Sequence, residues 1–322
     1  MRILFLTITT PKYQGDYMEL TILNGLRKLV GDKCVDLPRK KVCYHDFSEI
    51  PKSSLHGRGF SLLSYPIADI DNTLRENYRD IEFDAILIGH SHLYGEDIMC
   101  RLEGVKTKSV WILDGHDLFG QAPRMIRYKE KLVIGVQYKN PFKRELIEEV
   151  PSEFNVYPTG FGVPVEVIRP INIQGKTQLF QRTAPSFSLF GGDPELGTRA
   201  HHIFEHEQDY YDDLSCSWFG LTCIKGGWDS LRHYEIIAAG TLVLYRDYDL
   251  KPSECSPQLL PTLSYSTPEQ LKDIVQSLVV NGKPTDRYLD LLKKQRRWLF
   301  EYGTTMARAS AIYETMVNHV QR

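Results

Sequence analysis

The segment Lys225-Gly226-Gly227-Trp228-Asp229-Ser230-Leu231-Arg232-His233-Tyr234-Glu235-Ile236-Ile237-Ala238-Ala239-Gly240-Thr241-Leu242-Val243-Leu244 constrains the fold more than any other stretch of the chain. Two glycines open it. Leu231, Tyr234, Ile237 and Ala238 then recur at helical spacing, and Gly240 closes the pattern just before a β-branched and leucine-rich run. The segment therefore reads as a loop, a helix and a strand. A helix entered through a Gly-Gly turn leaves backbone N–H groups pointing out of its N-terminus, and that end favours phosphate or another anion. Glu235 lies one to two turns in, where its carboxylate can accept hydrogen bonds from ribose or sugar hydroxyls.

The rest of the chain supplies the sheet such a unit needs. Short apolar runs at 2–8, 33–37, 84–89, 108–113, 132–137 and 155–158 alternate with helical patterns, the signature of a parallel sheet covered by helices. Residues 16–30, with Tyr17, Leu20, Leu23, Leu26, Leu29 and Val30 in phase, form the expected first crossover helix, and 38–66 reads as an irregular excursion. Pro158 to Pro185 reads as the crossing between domains. A second α/β unit is expected from a strand at 187–190, a helix at about 194–206, strand 218–223, helix 229–239, strand 241–245 and a short strand near 262–265. A helix capped by Thr267, with Glu269 and Gln270 close behind, comes next, and helices at about 285–301 and 304–320 end the chain.

The run Tyr210-Tyr211-Asp212-Asp213-Leu214, then Ser217-Trp218-Phe219-Gly220-Leu221, then the segment from Lys225, resembles the C-terminal donor-binding region of GT-B glycosyltransferases. The likeness is to the "glycosyl transferases group 1" kind related to the spore-maturation protein CgeB. It implies an α/β, GT-B-like fold of two Rossmann-like domains facing a cleft: residues 1–165 on the acceptor side, 166–302 binding a nucleotide sugar, and 303–322 as a helix returning to the first domain. Between 187–190 and 218–223 there is room for little more than one or two helices, so the second domain reads as abbreviated. The activity implied is sugar transfer from a nucleotide-sugar donor, a UDP-sugar first, to an acceptor hydroxyl on a glycan, a lipid-linked sugar or DNA.

Under that resemblance Gly226, Gly227, Arg232 and Glu235 form the strongest set. Backbone amides hold a diphosphate, Arg232 or Lys225 neutralises its charge, and Glu235 grips the ribose. Gly191 and Gly192 with Arg199 offer a second contact to the diphosphate, and Trp228 borders the sugar or packs in the core. Gly15 and Asp16 follow the first strand, as a loop facing acceptor and donor sugar or as a helix cap. Asp114 and His116, at the end of the strand 108–113, or His90, after 84–89, are candidate bases for the acceptor hydroxyl. Lys139, Lys143 and Arg144 resemble a Phe-Lys-Arg-Glu element of CgeB-like proteins or form a solvated face.

Composition narrows the alternatives. Thirty-nine basic residues against 41 acidic ones give no global attraction to nucleic acid or membrane. A DNA-base glycosyltransferase therefore needs a local groove, for which Arg39, Lys40, Lys41, Lys52, Arg58, Arg124, Arg127, Lys129 and Lys131 are the candidates. A non-catalytic nucleotide-sugar or partner-binding protein of the same fold is the third reading. Six scattered cysteines without a CxxC pair indicate neither a disulfide framework nor zinc, so no metal and no bound cofactor is expected. No run approaches the roughly 20 apolar residues that span a bilayer, and a cytoplasmic location follows as an expectation.

Overall fold

The computed structural model of the chain describes residues 1–7, 16–44, 55–89, 95–114, 127–128, 131–132, 141–143, 157–183, 203–224, 227–253 and 255–320. They belong to two units. Unit 1 takes Met1–Pro164, residues 254–256 and Thr305–Arg322; unit 2 takes Val165–Ser253 and Pro257–Thr304.

Unit 1 is built on strands β1 (Ile3–Leu6), β2 (Cys34–Leu37), β3 (Glu82–Gly89), β4 (Lys106–Asp114), β5 (Pro141–Lys143) and β6 (Tyr157–Pro158). They pair in parallel in the order β2-β1-β3-β4-β5-β6. Ile3, Leu4 and Phe5 are all fully buried. Both faces of β1 are covered, which is why its sequence shows an unbroken apolar run instead of an alternation. One expected strand differs. Residues 131–132 pair antiparallel with 127–128 and stand outside this sheet, 133–137 lie beyond the described residues, and β5 takes the place beside β4.

The first crossover helix, α1 (Tyr17–Val30), starts where Asp16 Oδ1 accepts the Glu19 N–H at 2.8 Å and stops at Gly31, whose φ is +57°. Met18 to Arg27 are all buried, because the last helix, α8 (Thr305–Val320), lies along α1. A Cβ on Gly25 would overlap the Thr305 carbonyl, so the glycine permits that close approach. Thr305 completes the seam: its hydroxyl donates to Asn24 Oδ1 at 2.8 Å and its N–H to the Val163 carbonyl at 2.9 Å. Two shorter helices, α2 (Asn72–Glu76) and α3 (Gly95–Leu102), complete the unit.

Two buried cations of unit 1 are held by carboxylates. Lys40 Nζ stands 2.6 Å from Glu19 Oε2 with both side chains 1% exposed, and Arg75 donates to Asp36 Oδ1 and Asp69 Oδ1, each at 2.6 Å. Arg39 is held by Asp69 at 2.6 Å. These bonds correct the basic-groove reading at two positions. Lys40 points into the core, and Arg39 is neutralised beside it.

Unit 2 holds a second parallel sheet of β7 (Gln178–Phe180), β8 (Ser217–Thr222), β9 (Leu242–Arg246) and β10 (Leu263–Tyr265), in the order β10-β9-β8-β7. The edge strand β7 falls inside the stretch read as a crossing. At three residues it is too short to show a period. The strand expected at 187–190 lies outside the described residues. A helix, α4, occupies Glu207–Ser215, whereas residues 203–206, the described end of the range expected to be helical, are not. The other helices are α5 (Leu231–Ala238), α6 (Pro268–Leu278) and α7 (Asp286–Tyr302). Thr267 and Gln270 form a reciprocal capping box at the start of α6.

The approach of α5 to β8 organises the core of unit 2. A Cβ on Gly220 would overlap the Ile236 side chain, so the glycine seats the helix on the strand. At the other end of α5, Gly240 has φ +80°; its N–H reaches the Ile237 carbonyl at 3.0 Å and the Thr241 N–H the Ile236 carbonyl at 3.2 Å. That pair of bonds is a Schellman ending, which places a left-handed residue at this position.

Two outcomes follow from these packings. Gly240→Ala is expected to lower stability by about 1–2 kcal/mol, read as a lower urea midpoint with an unchanged slope; an unchanged midpoint contradicts the assignment. Lys40→Met leaves the Glu19 carboxylate buried without its partner and is expected to cost about 3–5 kcal/mol, while Glu19→Gln with Lys40→Met costs less than Lys40→Met alone. Purely additive losses in that urea double-mutant cycle count against the pairing.

Candidate functional site

The N-terminal turn of α5 is held from beneath. The Trp228 carbonyl accepts the Tyr245 hydroxyl at 2.5 Å and His233 Nε2 at 3.0 Å. A carbonyl only accepts, so His233 carries its proton on Nε2, and its Nδ1 receives the Thr222 hydroxyl at 2.8 Å. The Asp229 carboxylate accepts the Tyr234 hydroxyl at 2.8 Å. Trp228 is 8% exposed, with its ring 6.2 Å from that of Tyr245. Among the described contacts it is a packing residue that shapes the turn. Ser230, at the cap position, makes no side-chain bond to the helix. Gly227 is buried, and Lys225 and Gly226 lie outside the described residues.

Arg232 and Glu235 come together around Tyr210 of α4. The Arg232 guanidinium lies over the Tyr210 ring, 5.5 Å from its centre, and Nη1 donates to Thr183 Oγ1 at 2.9 Å and to the Thr183 carbonyl at 3.3 Å. Glu235 Oε2 accepts the Tyr210 hydroxyl at 2.6 Å. Burial works against the charge on Arg232, but Tyr210, Glu235, Cys223 and Asp213 outweigh it and raise the guanidinium pKa above its ordinary value. Thr183 follows β7, and the start of α5 follows β8, so the cluster stands at the carboxyl end of this sheet, where open α/β sheets bind ligands.

Tyr210 and Thr183 were not singled out from the sequence as site residues. Tyr210 stood in the quoted Tyr-Tyr-Asp-Asp-Leu run, but only the three-dimensional contact reveals that its ring and hydroxyl serve two different charged groups. Glu235 is 7% exposed, more buried than a freely accessible ribose ligand, so its carboxylate is already oriented by the protein.

Of the acceptor-side residues, Asp16 is seen capping α1, and Gly15 lies outside the described residues. Asp114 is the last residue of β4, at the carboxyl end of the unit 1 sheet. His90 directly follows β3, and His116 follows β4 by two positions; both lie outside the described residues, as do Gly191, Gly192 and Arg199. Among the described residues no group of His, Cys, Asp and Glu is arranged to hold a metal ion, and no helix is long and apolar enough to cross a membrane.

A cavity of about 620 Å³ beside β7 does not coincide with the cluster. Glu205, Asp209, Asp212 and Asp213 line it. Asp213 is tied to Arg182 at 2.7 Å and Asp212 to Arg169 at 2.5 Å, while Glu205 and Asp209 add negative charge that disfavours a diphosphate there.

No protein-family model and no curated protein sequence matches the chain. Solved structures do. A glycosyltransferase from Rickettsia africae ESF-5 is similar at 11% identity, covering 100% of this chain and 98% of that one, with a TM-score of 0.55. The N-terminal domain of Candida albicans trehalose-6-phosphate phosphatase is similar at 10% identity, with 99% and 97% covered and a TM-score of 0.52. An α,α-trehalose-phosphate synthase (UDP-forming) from Burkholderia vietnamiensis is similar at 11% identity, with 100% of both chains covered and a TM-score of 0.50. At such identities the likeness concerns the fold, which is α/β with two parallel sheets, as in the GT-B glycosyltransferases.

Proposed function

We propose that the chain is a glycosyltransferase that moves a sugar from a nucleotide-sugar donor to an acceptor hydroxyl on a glycan or lipid-linked sugar. The observation that carries this reading is the Thr183–Arg232–Tyr210–Glu235 cluster at the start of α5, in a fold shared with glycosyltransferases. The first N–H groups of α5, uncapped by Ser230, and the Arg232 guanidinium suit a departing diphosphate, whose negative charge grows as the sugar bond breaks. Lys225, Gly226, Gly227, Gly191, Gly192 and Arg199 belong to the same proposed donor contact. Glu235 accepts the ribose hydroxyls, and a base drawn from Asp114, His116 or His90 takes the acceptor proton. Gly15 and Asp16 form the loop toward the sugar. The quoted residues of 210–246 are the basis for kinship with the CgeB-like kind. The Burkholderia protein is described as UDP-forming, which favours a UDP-sugar as the donor to try first.

The first test is thermal unfolding of the purified chain with UDP, GDP, ADP, CMP and their sugar conjugates. A ligand that binds only the folded protein raises its melting temperature by mass action. UDP and a UDP-sugar are expected to stabilise the chain more than the other nucleotides. Glu235→Gln keeps an acceptor for the Tyr210 hydroxyl while removing the charge, and roughly tenfold weaker UDP binding by calorimetry is expected from losing one charge-assisted bond. Arg232→Met is expected to weaken UDP at least as much. A folded Arg232→Met variant that binds UDP as tightly as the unsubstituted chain overturns the site, and UDP binding without sugar transfer or donor hydrolysis overturns the catalytic reading.

A further inference from the structure

We propose that the turn Ala239–Thr241, together with Lys176 and Arg296, is a second anion site that takes an oxyanion of the phosphate or carboxylate type. It lies at the amino ends of β7 and β9, whereas the Arg232 cluster lies at the carboxyl end of the same sheet.

The geometry begins with an unmet demand. Nε and Nη2 of Arg296, on α7, are both buried and have no hydrogen-bond partner among the described residues. These two nitrogens form the side-on edge of the guanidinium, whose parallel N–H bonds match two oxygens of one carboxylate or phosphate. Leaving such donors empty costs on the order of 1–3 kcal/mol each, more where the group is charged. The guanidinium reaches the turn closely: Arg296 Nη2 stands 3.4 Å from where a Cβ on Gly240 would sit, with the Ile171 Cα at 3.2 Å and the Pro170 carbonyl oxygen at 3.3 Å from the same point.

A second cation shares the turn. Lys176, 8% exposed, donates from Nζ to the Gly240 carbonyl at 2.8 Å and to Thr241 Oγ1 at 2.9 Å. Those two acceptors leave one ammonium N–H over. The charged or titratable groups acting on Lys176 are the Cys216 thiol and the Arg296 guanidinium, and no carboxylate is among them. Burial pushes Lys176 down to about 7, with Cys216 opposing and Arg296 adding to the shift; burial likewise pushes Arg296 down to about 10. The buried cations Lys40 and Arg75 of unit 1, by contrast, each face a carboxylate. At this turn two cations face each other, and an oxyanion is the group that satisfies both. The carbonyls ending α5 do not exclude it, because Ala238 accepts the Arg169 N–H at 2.8 Å and Gly240 accepts Lys176.

The test is thermal unfolding of the full chain titrated with inorganic phosphate or malonate, ionic strength being held constant with sodium chloride. Phosphate at about ten times its dissociation constant is expected to raise the melting temperature by roughly 2 °C. An equal effect of malonate identifies the ligand as any such oxyanion, and a smaller one identifies a phosphate group. Arg296→Met is expected to abolish the phosphate-dependent part. Arg296→Lys, which keeps the charge and loses the fork, removes most of it, and serves if the methionine variant does not fold. Arg232→Met is expected to leave it in place.

Sulfate, whose charge is constant across the range, is expected to bind several-fold more weakly at pH 8.5 than at pH 6, because Lys176 loses its proton between them. The unfolded chain still holds that proton at pH 8.5, so stability in sodium chloride alone rises with pH over the same window. The proposal is overturned if phosphate stabilises no more than chloride, if Arg296→Met responds as the unsubstituted chain does, or if the response disappears in Arg232→Met instead.

Discussion

The close seating of α5 on β8 is the constraint from which the rest of unit 2 follows. Gly220 lets Ile236 rest directly on the strand, and helical periodicity then fixes what its neighbours meet. His233, three residues earlier, turns to Thr222 and the Trp228 carbonyl, while Glu235 turns to Tyr210. A larger residue at 220 would lift the helix and disturb all of these bonds together. The site is thus as rigid as the packing below it, which is what a group meant to meet charge developing on a ligand requires.

The same dependence explains what was legible in the sequence. Local rules suffice for elements that depend on local chemistry. Asp16 caps α1, Thr267 and Gln270 box α6, and Gly240 ends α5, each through bonds spanning only a few residues. The fully covered strands of unit 1 announced themselves by unbroken apolar runs. Beyond that range the sequence is silent. Strand β7 has three residues, and its identity comes from pairing with β8, some forty positions away. Lys40, in a basic run that suggests a solvated or DNA-facing surface, is turned inward by Glu19 on a different element. Periodicity cannot report a partner of that kind, because the pairing depends on how α1 and the chain after β2 are brought together.

Within the candidate site, Arg232 and Glu235 were legible as a pair at helical spacing, but their relation was not. Residues three apart on a helix are placed to form an ion pair, and an arginine cancelled in that way would have little left for a diphosphate. Tyr210 divides them. Its ring receives the guanidinium and its hydroxyl engages the carboxylate, so each charged group has a separate contact. The direct bonds of Arg232 run to the hydroxyl and carbonyl of Thr183, both uncharged. The guanidinium is thus oriented by neutral acceptors and an aromatic face, with the charges of Glu235 and Asp213 acting on it without a direct bond.

The treatment of buried charge therefore differs across the chain according to what it serves. Where the need is structural, as at Lys40 with Glu19 and Arg75 with Asp36, a carboxylate lies in direct contact and the positive charge is spent within the fold. At Arg232 the direct bonds run to neutral groups, and carboxylates act on it only from a distance. At Arg296 even neutral acceptors are missing from the bidentate edge among the described residues. An isolated charge of that kind is costly to bury, and the cost falls only if a counter-charge arrives from outside. The degree to which a buried cation is left uncompensated is thus itself a structural signal, and in unit 2 that signal rises at the two ends of one parallel sheet.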